Sequence, residues 1–204
     1  MKIGIIQGTS QIEKNSILYE CTKDYGEVIN FGCFEDEENY SYVEIALEIC
    51  LLISSQSVDF IVTGCSSGQG MMIACNSLPN LICGYLPTPQ DAYLFGRIND
   101  GNVASLPLGL NYGWAGEINL KATLQQLFEE PFGIGYPLKD AKRKKEDTKK
   151  IKELNQLSKK DIIEFLDKLD QQMINKILSK KNVIDYILKY GKDKRIKQWI
   201  LSRR

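Results

Sequence analysis

A loop containing one cysteine, two serines and three glycines holds the residue types in this sequence that could do chemistry. Residues 64–70 read Gly-Cys-Ser-Ser-Gly-Gln-Gly and follow the apolar run 58–63, which has the composition of a buried strand. Glycines allow a tight turn and leave backbone N–H groups uncovered, and a helix predicted to follow adds the positive end of its dipole. This combination favours the binding of an anion.

Cys65 is the candidate catalytic residue of this loop. A cysteine held beside such N–H groups could abstract a proton next to a carbonyl, and the amides would hold the resulting oxyanion. Ser66 and Ser67 add short hydroxyl donors. The same loop could equally be a noncatalytic phosphate cradle or a structural turn, because a single glycine-bearing loop is a weak signal. The residues alone leave these interpretations open.

The composition excludes several other kinds of site. None of the 204 residues is histidine, which excludes His-activated nucleophiles, imidazole acid–base catalysis and His-ligated zinc. The six cysteines include no Cys-x-x-Cys pair, and we expect them to stay reduced in a cytoplasmic protein. No apolar run approaches the roughly 20 residues of a membrane span, and no signal peptide is recognised. We therefore expect no contact with a membrane.

The charges divide the chain into two parts. The 26 basic and 26 acidic side chains sum to zero, but residues 1–138 contain only 5 of the basic ones and 16 of the acidic ones. Residues 139–204 hold the other 21 basic and 10 acidic side chains. We predict an α/β domain at 1–138 and a basic helical carboxy-terminal extension at 139–204. Nucleic-acid binding is not expected, because the extension mixes both signs of charge and lacks interleaved aromatic residues for base stacking.

Strand-like and helix-like segments alternate through the first part. The predicted strands are 2–7, 27–31, 58–63, 81–86 and 102–106, and the predicted helices are 11–21, 41–54, 71–77, 91–95 and 114–128. This alternation predicts a three-layer α/β/α Rossmann-like fold with a mostly parallel five-stranded sheet. The extension is predicted to form helices at 140–154, 159–169, 172–178 and 183–190, with a short one near 199. Ligands of such sheets bind outside the carboxyl ends of the strands, where the Cys65 loop is expected to lie.

Two motifs in these elements resemble a known family. Residues 62–76, VTGCSSGQGMMIACN, resemble C-G-T-G-x-G-M-x-x-A-A-N-K, and residues 98–103, INDGNV, resemble H-N-D-x-N-V. Both motifs belong to the ribose-5-phosphate isomerase B and galactose-6-phosphate isomerase family, and the resemblance covers about residues 1–138. It implies an aldose–ketose isomerase acting on a pentose, hexose or tetrose phosphate through a cis-enediolate, without a metal or an organic cofactor. It also implies a homodimer or homotetramer with active sites between subunits.

The resemblance gives roles to individual residues. Cys65 matches the cysteine that moves the proton between C1 and C2, and Ser67 matches the threonine that assists ring opening. Asn99 matches the asparagine of H-N-D and should reach the substrate oxygens. The loop amides match the anion hole around the enediolate, and Lys142 and Arg143 are the basic residues nearest to the family's phosphate-binding arm. The predicted substrate-binding residues are Ser66, Gly68, Gln69, Gly70, Asn99, Thr9, Ser10, Lys142 and Arg143.

The sequence also departs from the family pattern. Thr9 and Ser10 lie in the first loop, which in the family carries an aspartate and a histidine, and Ile98 stands where the ring-opening histidine is expected. Opening a sugar ring requires proton transfer to the ring oxygen, which Ile98 cannot perform. One interpretation is an open-chain substrate, such as a four-carbon sugar phosphorylated on its terminal oxygen. Another is that a water molecule or Ser67 alone opens the ring, slowly. For the chain as a whole, the alternative to an isomerase is a noncatalytic sugar-phosphate-binding or regulatory subunit of the same family.

Overall fold

A parallel sheet of five strands forms the centre of the computed structural model, which describes all 204 residues. The sheet order is β2-β1-β3-β5-β4, and every pair of neighbouring strands is parallel. The strands are β1 Lys2–Ile5, β2 Glu27–Asn30, β3 Phe60–Cys65, β4 Cys83–Tyr85 and β5 Val103–Pro107. The predicted five-stranded parallel sheet is confirmed, although β4 is shorter than predicted.

Helices cover both faces of this sheet. They are α1 Asn15–Thr22, α2 Tyr42–Ser54, α3 Gln69–Asn76, α4 Pro89–Leu94 and α5 Gly116–Phe128. Side chains alternate along β3, so that Phe60 and Val62 pack in one apolar cluster with α1, α4 and α5, while Ile61 packs in the other with α2 and α3. The three-layer α/β/α architecture is therefore confirmed.

The segment after β1 differs from the prediction. A helix was expected from residue 11, but a 3-10 segment spans Thr9–Lys14, with Gln11 outside helical geometry at φ −130°, and α1 begins at Asn15. The N–H of Gly8 donates to the carbonyl of Gly64 at 3.0 Å. The chain therefore runs alongside the end of β3 before α1 begins.

The extension consists of five helices. They are α6 Ala141–Ser158, α7 Ile162–Leu166, α8 Gln171–Ser179, α9 Lys181–Tyr190 and α10 Lys194–Leu201. Ile177 of α8 and Ile187 of α9 are buried in the same apolar cluster as Ile45 and Ile49 of α2. The extension thus adds a layer outside α2, so that α2 has the sheet on one side and the extension on the other. None of the ten helices combines the length and apolar character needed to cross a membrane.

Candidate functional site

The candidate site lies where the order of the strands reverses. From β1 the chain passes to β2 on one side, whereas β3 lies on the other side of β1. The first loop (residues 6–14) and the Cys65 loop (residues 64–70) follow β1 and β3, and both lie at the carboxyl edge of the sheet. In open α/β sheets this point forms a crevice that binds ligands. The two predicted loops are therefore adjacent.

Cys65 is the last residue of β3. Its side chain is 9% exposed, and its sulfur has no hydrogen-bond partner within the chain. The backbone of the first loop lies beside it, since a Cβ atom added to Gly8 would be 3.8 Å from the Cβ of Cys65. The thiol is thus largely shielded from bulk water and lies against the first loop.

Unpartnered backbone donors surround the step from β3 to α3. The N–H groups of Ser66, Ser67, Gly68 and Gly70 donate to no group of the chain, and that of Gln69 donates to the Ser67 hydroxyl at 3.3 Å. These groups lie at the amino-terminal end of α3, where the helix dipole adds a positive field. Such an arrangement can hold an oxyanion or another small anion.

The shape of the Cys65 loop depends on Gly68. This residue has φ +75°, and a Cβ atom on it would lie 2.8 Å from the backbone carbon of Leu106 and 2.8 Å from the ring of Tyr85. The buried hydroxyl of Ser105 donates to the Gly68 carbonyl at 2.6 Å. Ser105 was not predicted as a site residue, although a hydroxyl in an otherwise apolar strand was a visible signal.

The first loop contributes Ser10 and Gln11 to the site. The Gln11 amide donates to the Ser66 hydroxyl at 3.0 Å, and the Ser10 hydroxyl lies 3.4 Å from the same oxygen. The Oε1 atom of Gln11 is buried without a partner, which leaves an acceptor beside the loop. Gln11 was not predicted as a site residue, because the sequence placed it at the start of a helix.

Thr9 points elsewhere. Its hydroxyl accepts a hydrogen bond from the N–H of Tyr40 at 2.8 Å, and its own N–H donates to the Tyr40 carbonyl at 3.4 Å. Of the two first-loop residues predicted to bind substrate, Ser10 is therefore the one next to the Cys65 loop, while Thr9 joins the first loop to the segment that precedes α2.

The other predicted residues lie at the opposite edge of the sheet. Asn99 ends a π-helical turn that precedes β5. Lys142 and Arg143 lie in the first turn of α6. The hydroxyl of Thr148 in α6 donates to the carbonyl of Ile98, so α6 is attached to the π-helical turn. Just before β5, the carbonyl of Asn102 accepts from the N–H of Ile61, near the start of β3. Cys65 lies at the other end of β3 and pairs with Pro107, at the end of β5. The two edges are separated by about 13 Å of strand. One chain does not bring Asn99, Lys142 or Arg143 to Cys65.

Four of the other five cysteines have thiol pKa values that burial raises. Burial raises the pKa of the Cys50 thiol to about 12 and the pKa of the Cys83 thiol well above its ordinary value. Burial also raises the pKa of Cys21 and of Cys33. These four thiols are therefore neutral at physiological pH and are not suited to act as bases.

One family profile and several solved structures are similar to this chain. The profile of the family described as Ribose/Galactose Isomerase matches residues 3–135. No curated protein sequence matches the chain. A crystal structure of a 4-deoxy-L-threo-5-hexosulose-uronate ketol-isomerase complexed with a tartrate is 34% identical, with a TM-score of 0.94 over 100% of this chain and 99% of that one.

Two solved ribose-5-phosphate isomerases are also similar. The LacAB_rpiB enzyme from Vibrio parahaemolyticus is 29% identical, with a TM-score of 0.94 over 100% of this chain and 99% of its own. The enzyme from Thermotoga maritima is 27% identical, with a TM-score of 0.58 over 74% of this chain and 97% of its own. The chain therefore belongs to the ribose/galactose isomerase family of sugar-phosphate aldose–ketose isomerases.

Proposed function

We propose that this protein interconverts an aldose and a ketose by moving a proton between adjacent carbons, with Cys65 as the base. The observation that carries the proposal is the set of unpartnered N–H groups on Ser66, Ser67, Gly68 and Gly70 beside a thiol without a hydrogen bond. Donors placed in this way stabilise negative charge that develops on a substrate oxygen.

The proposed reaction balances within the substrate. The Cys65 thiolate takes the proton from C2 of a 2-hydroxyaldehyde, the C–H electron pair forms a C1=C2 bond, and the carbonyl electrons move to O1. The loop amides hold this enediolate oxygen. The Cys65 thiol then delivers a proton to C1, either the one that it took or one that it has exchanged with solvent, while the hydroxyl proton moves from O2 to O1, which yields the ketose. We assign to Ser67 the transfer of protons at the substrate oxygens, because its hydroxyl belongs to the loop.

We further propose that the substrate reacts in its open-chain form. Ile98 cannot protonate a ring oxygen, and no histidine exists to replace it. The 34% identical ketol-isomerase acts on a 4-deoxy-5-hexosulose uronate, whose C1 aldehyde has no hydroxyl at C4 or C5 with which to close a ring. A four-carbon sugar phosphorylated on its terminal oxygen is open for the same reason. Both carry an anionic group at the end remote from C1.

The anionic end of the substrate requires a second copy of the chain in this proposal. No lysine or arginine makes a hydrogen bond or ion pair with the Cys65 loop, and Asn99, Lys142 and Arg143 lie at the far edge of the sheet. A homodimer or homotetramer in which these residues face the partner's Cys65 would complete the site. Such a contact could also cover the side chain of Trp114, which is 99% exposed.

A comparison of three substrates tests the open-chain proposal. We expect higher kcat/KM with a tetrose 4-phosphate or with 4-deoxy-L-threo-5-hexosulose uronate than with ribose 5-phosphate. The two open-chain compounds also distinguish a terminal phosphate from a terminal carboxylate. Preferential turnover of ribose 5-phosphate would contradict the proposal.

The role of Cys65 is tested by exchange of the C2 proton with deuterium from solvent. The substitution Cys65→Ser is expected to slow this exchange by about 10²- to 10⁴-fold, the contribution of a general base. Cys21→Ser is the matched control, since Cys21 is also buried but belongs to α1. Unchanged exchange in Cys65→Ser would refute the assignment.

A noncatalytic sugar-phosphate-binding or regulatory subunit is the second candidate, and the missing histidine favours it. In that case the same compounds would raise the melting temperature, because a ligand that binds only the folded state stabilises it, but no proton exchange would follow.

A further inference from the structure

A buried lysine joins the extension to the domain that carries the candidate site. Lys180 lies between α8 and α9, and its side chain is fully buried. Its ammonium group lies 2.8 Å from both carboxylate oxygens of Glu37 and 5.0 Å from the ring centre of Tyr40. Lysine is almost never fully buried unless it is paired, so this contact is a specific feature of the packing.

The acidic loop, residues 31–41 between β2 and α2, receives this lysine. Glu37 also accepts a hydrogen bond from the N–H of Phe34 at 2.9 Å, so the same carboxylate holds the turn of the loop and the lysine. The extension makes further contacts with the loop at its other residues. These are the ion pair of Lys176 with Glu38 at 2.7 Å, the hydrogen bond of Ser179 with Tyr40 at 3.0 Å and that of Asn182 with the Phe31 carbonyl at 3.0 Å.

The acidic loop in turn holds the first loop. Gln7 donates its N–H to the Gly32 carbonyl at 2.9 Å and its side-chain amide to the Cys33 carbonyl at 2.8 Å. Thr9 and Tyr40 exchange two hydrogen bonds, as described above. The first loop then reaches the Cys65 loop through the contacts of Gly8 and Gln11. A continuous set of contacts therefore runs from Lys180 to the residues beside the thiol.

We propose that Lys180 is a positioning residue for the candidate site, acting through the acidic loop and the first loop. The proposal rests on the proposed isomerase function for its kinetic readout. Burying an ammonium and a carboxylate is costly, and an apolar pair of the same volume often stabilises a protein as well or better. In this proposal the pair instead specifies one arrangement of the segments that it joins. Here those segments are the extension and the acidic loop.

A double-mutant cycle tests the proposal. The variants are Lys180→Met, which keeps the side-chain volume, Glu37→Gln, which is the milder change, and the two combined. We expect each single variant to lower kcat/KM by about tenfold or more, mainly through kcat, because small displacements of a site cost large factors in rate. The double variant should be no worse than the singles, since both changes remove the same contact.

Two structural readouts accompany the kinetics. Hydrogen exchange at the amides of the first loop and the Cys65 loop should become faster in Lys180→Met and in Glu37→Gln. The rate at which iodoacetamide alkylates Cys65, measured by mass spectrometry, should change as well. The control is Ile196→Ala, which removes a buried side chain of α10 that lies in the extension core. This control should lose thermal stability but keep kcat/KM and loop exchange near the wild-type values.

The outcomes separate this proposal from the proposed function. If the wild-type protein turns over none of the three sugars, the isomerase function fails, and loop exchange and Cys65 alkylation alone decide the role of Lys180. Wild-type kinetics and wild-type loop exchange in Lys180→Met and Glu37→Gln would overturn the positioning role. An equal loss in Ile196→Ala would also overturn it, because the effect would then follow from stability alone.

Discussion

The Cys65 loop depends, at the scale of single residues, on one backbone angle. Gly68 takes φ +75°, a conformation that costs other residues roughly 1–3 kcal/mol, and the neighbouring strand leaves no room for a side chain. This angle turns the chain from β3 into α3 and exposes the N–H groups of the loop. The role that we propose for Cys65 therefore requires a glycine three residues later.

The substitution Gly68→Ala tests this requirement. We expect a loss of about 3 kcal/mol in the free energy of unfolding, from backbone strain and overpacking together, and a loss of activity of roughly 100-fold from displaced oxyanion donors. Gly113→Ala is the matched control, because Gly113 has φ +57° but no atom within 4 Å of an added Cβ. The control should lose about 1 kcal/mol and keep its activity. Equal losses of stability and activity in the two variants, measured by urea unfolding and by proton exchange, would contradict this account.

At the scale of elements, helix α2 is buried between two layers, and this burial includes a charged type of residue. The sheet covers one side of the helix and the extension covers the other, so its middle has no solvent-facing side. Glu48 lies there with 1% exposure, and neither carboxylate oxygen has a hydrogen-bond partner. Burial raises the pKa of Glu48 well above its ordinary value of 4.5, and the charge of Lys180 opposes this shift only in part. The folded protein therefore binds the Glu48 proton more tightly than the unfolded chain does.

This raised pKa predicts a pH dependence of stability. Above pH 4.5 the unfolded chain releases the Glu48 proton while the folded chain keeps it, so Glu48 lowers the free energy of unfolding as the pH rises. Glu48→Gln removes this loss. Relative to the wild type, the variant should gain a few degrees in melting temperature between pH 4 and pH 7, since about 1 kcal/mol corresponds to roughly 2–4 °C for a protein of this size.

Thermal unfolding at the two pH values measures the effect. The pKa values of Asp161 and Asp193 are lowered, mainly because their carboxylates accept hydrogen bonds from Arg195. These two residues contribute stability that is lost at low pH, and they do so equally in the wild type and in the variant. The difference between the two proteins therefore isolates Glu48. Glu146→Gln, at an exposed position of α6, serves as control and should show no such gain. A gain that is the same at both pH values would show that the Glu48 proton is not involved.

At the scale of the whole molecule, the predicted site residues lie at two opposite edges of the sheet. The Cys65 loop and Ser10 lie at the carboxyl edge, and Asn99, Lys142 and Arg143 lie at the amino edge. Several large apolar side chains are also exposed, and a second copy of the chain could cover them. The most exposed are Trp114, Leu138, Leu157, Ile118 and Leu154. Both observations favour an assembly in which one chain completes the site of another.

Mixing two inactive variants tests this arrangement. Chains with Cys65→Ser and chains with Asn99→Ala, unfolded and refolded together, should regain about a quarter of the wild-type activity for a dimer. Half of the dimers are then mixed, and each mixed dimer has one site free of both substitutions. Cys65→Ser mixed with Ser67→Ala is the control, because both residues lie in one loop and no intact site can form. Absence of any regain in the first mixture would contradict a shared site.

The sequence predicted the parts of this site that depend on local patterning. The apolar run before the Cys65 loop indicated a strand, and the strand–helix alternation placed the loop at the carboxyl edge of a parallel sheet. Gln11, Ser105 and Lys180 were not predicted. Their partners Ser66, Gly68 and Glu37 are 55, 37 and 143 residues away along the chain. A local pattern can mark a polar residue as unusual, as the hydroxyl of Ser105 in an apolar strand does, but it does not identify the distant partner.

The sequence by itself determined that this chain has no histidine, pointed to Cys65 as the candidate base through its resemblance to the family, and predicted an α/β domain followed by a basic helical extension. Only the tertiary structure decided that the amides around Cys65 are unpartnered, that Asn99 lies at the other edge of the sheet, and that Lys180 is buried against Glu37. The reason is physical. Composition and the spacing of apolar residues determine secondary structure locally, whereas the meeting of polar groups depends on how segments distant in sequence pack together.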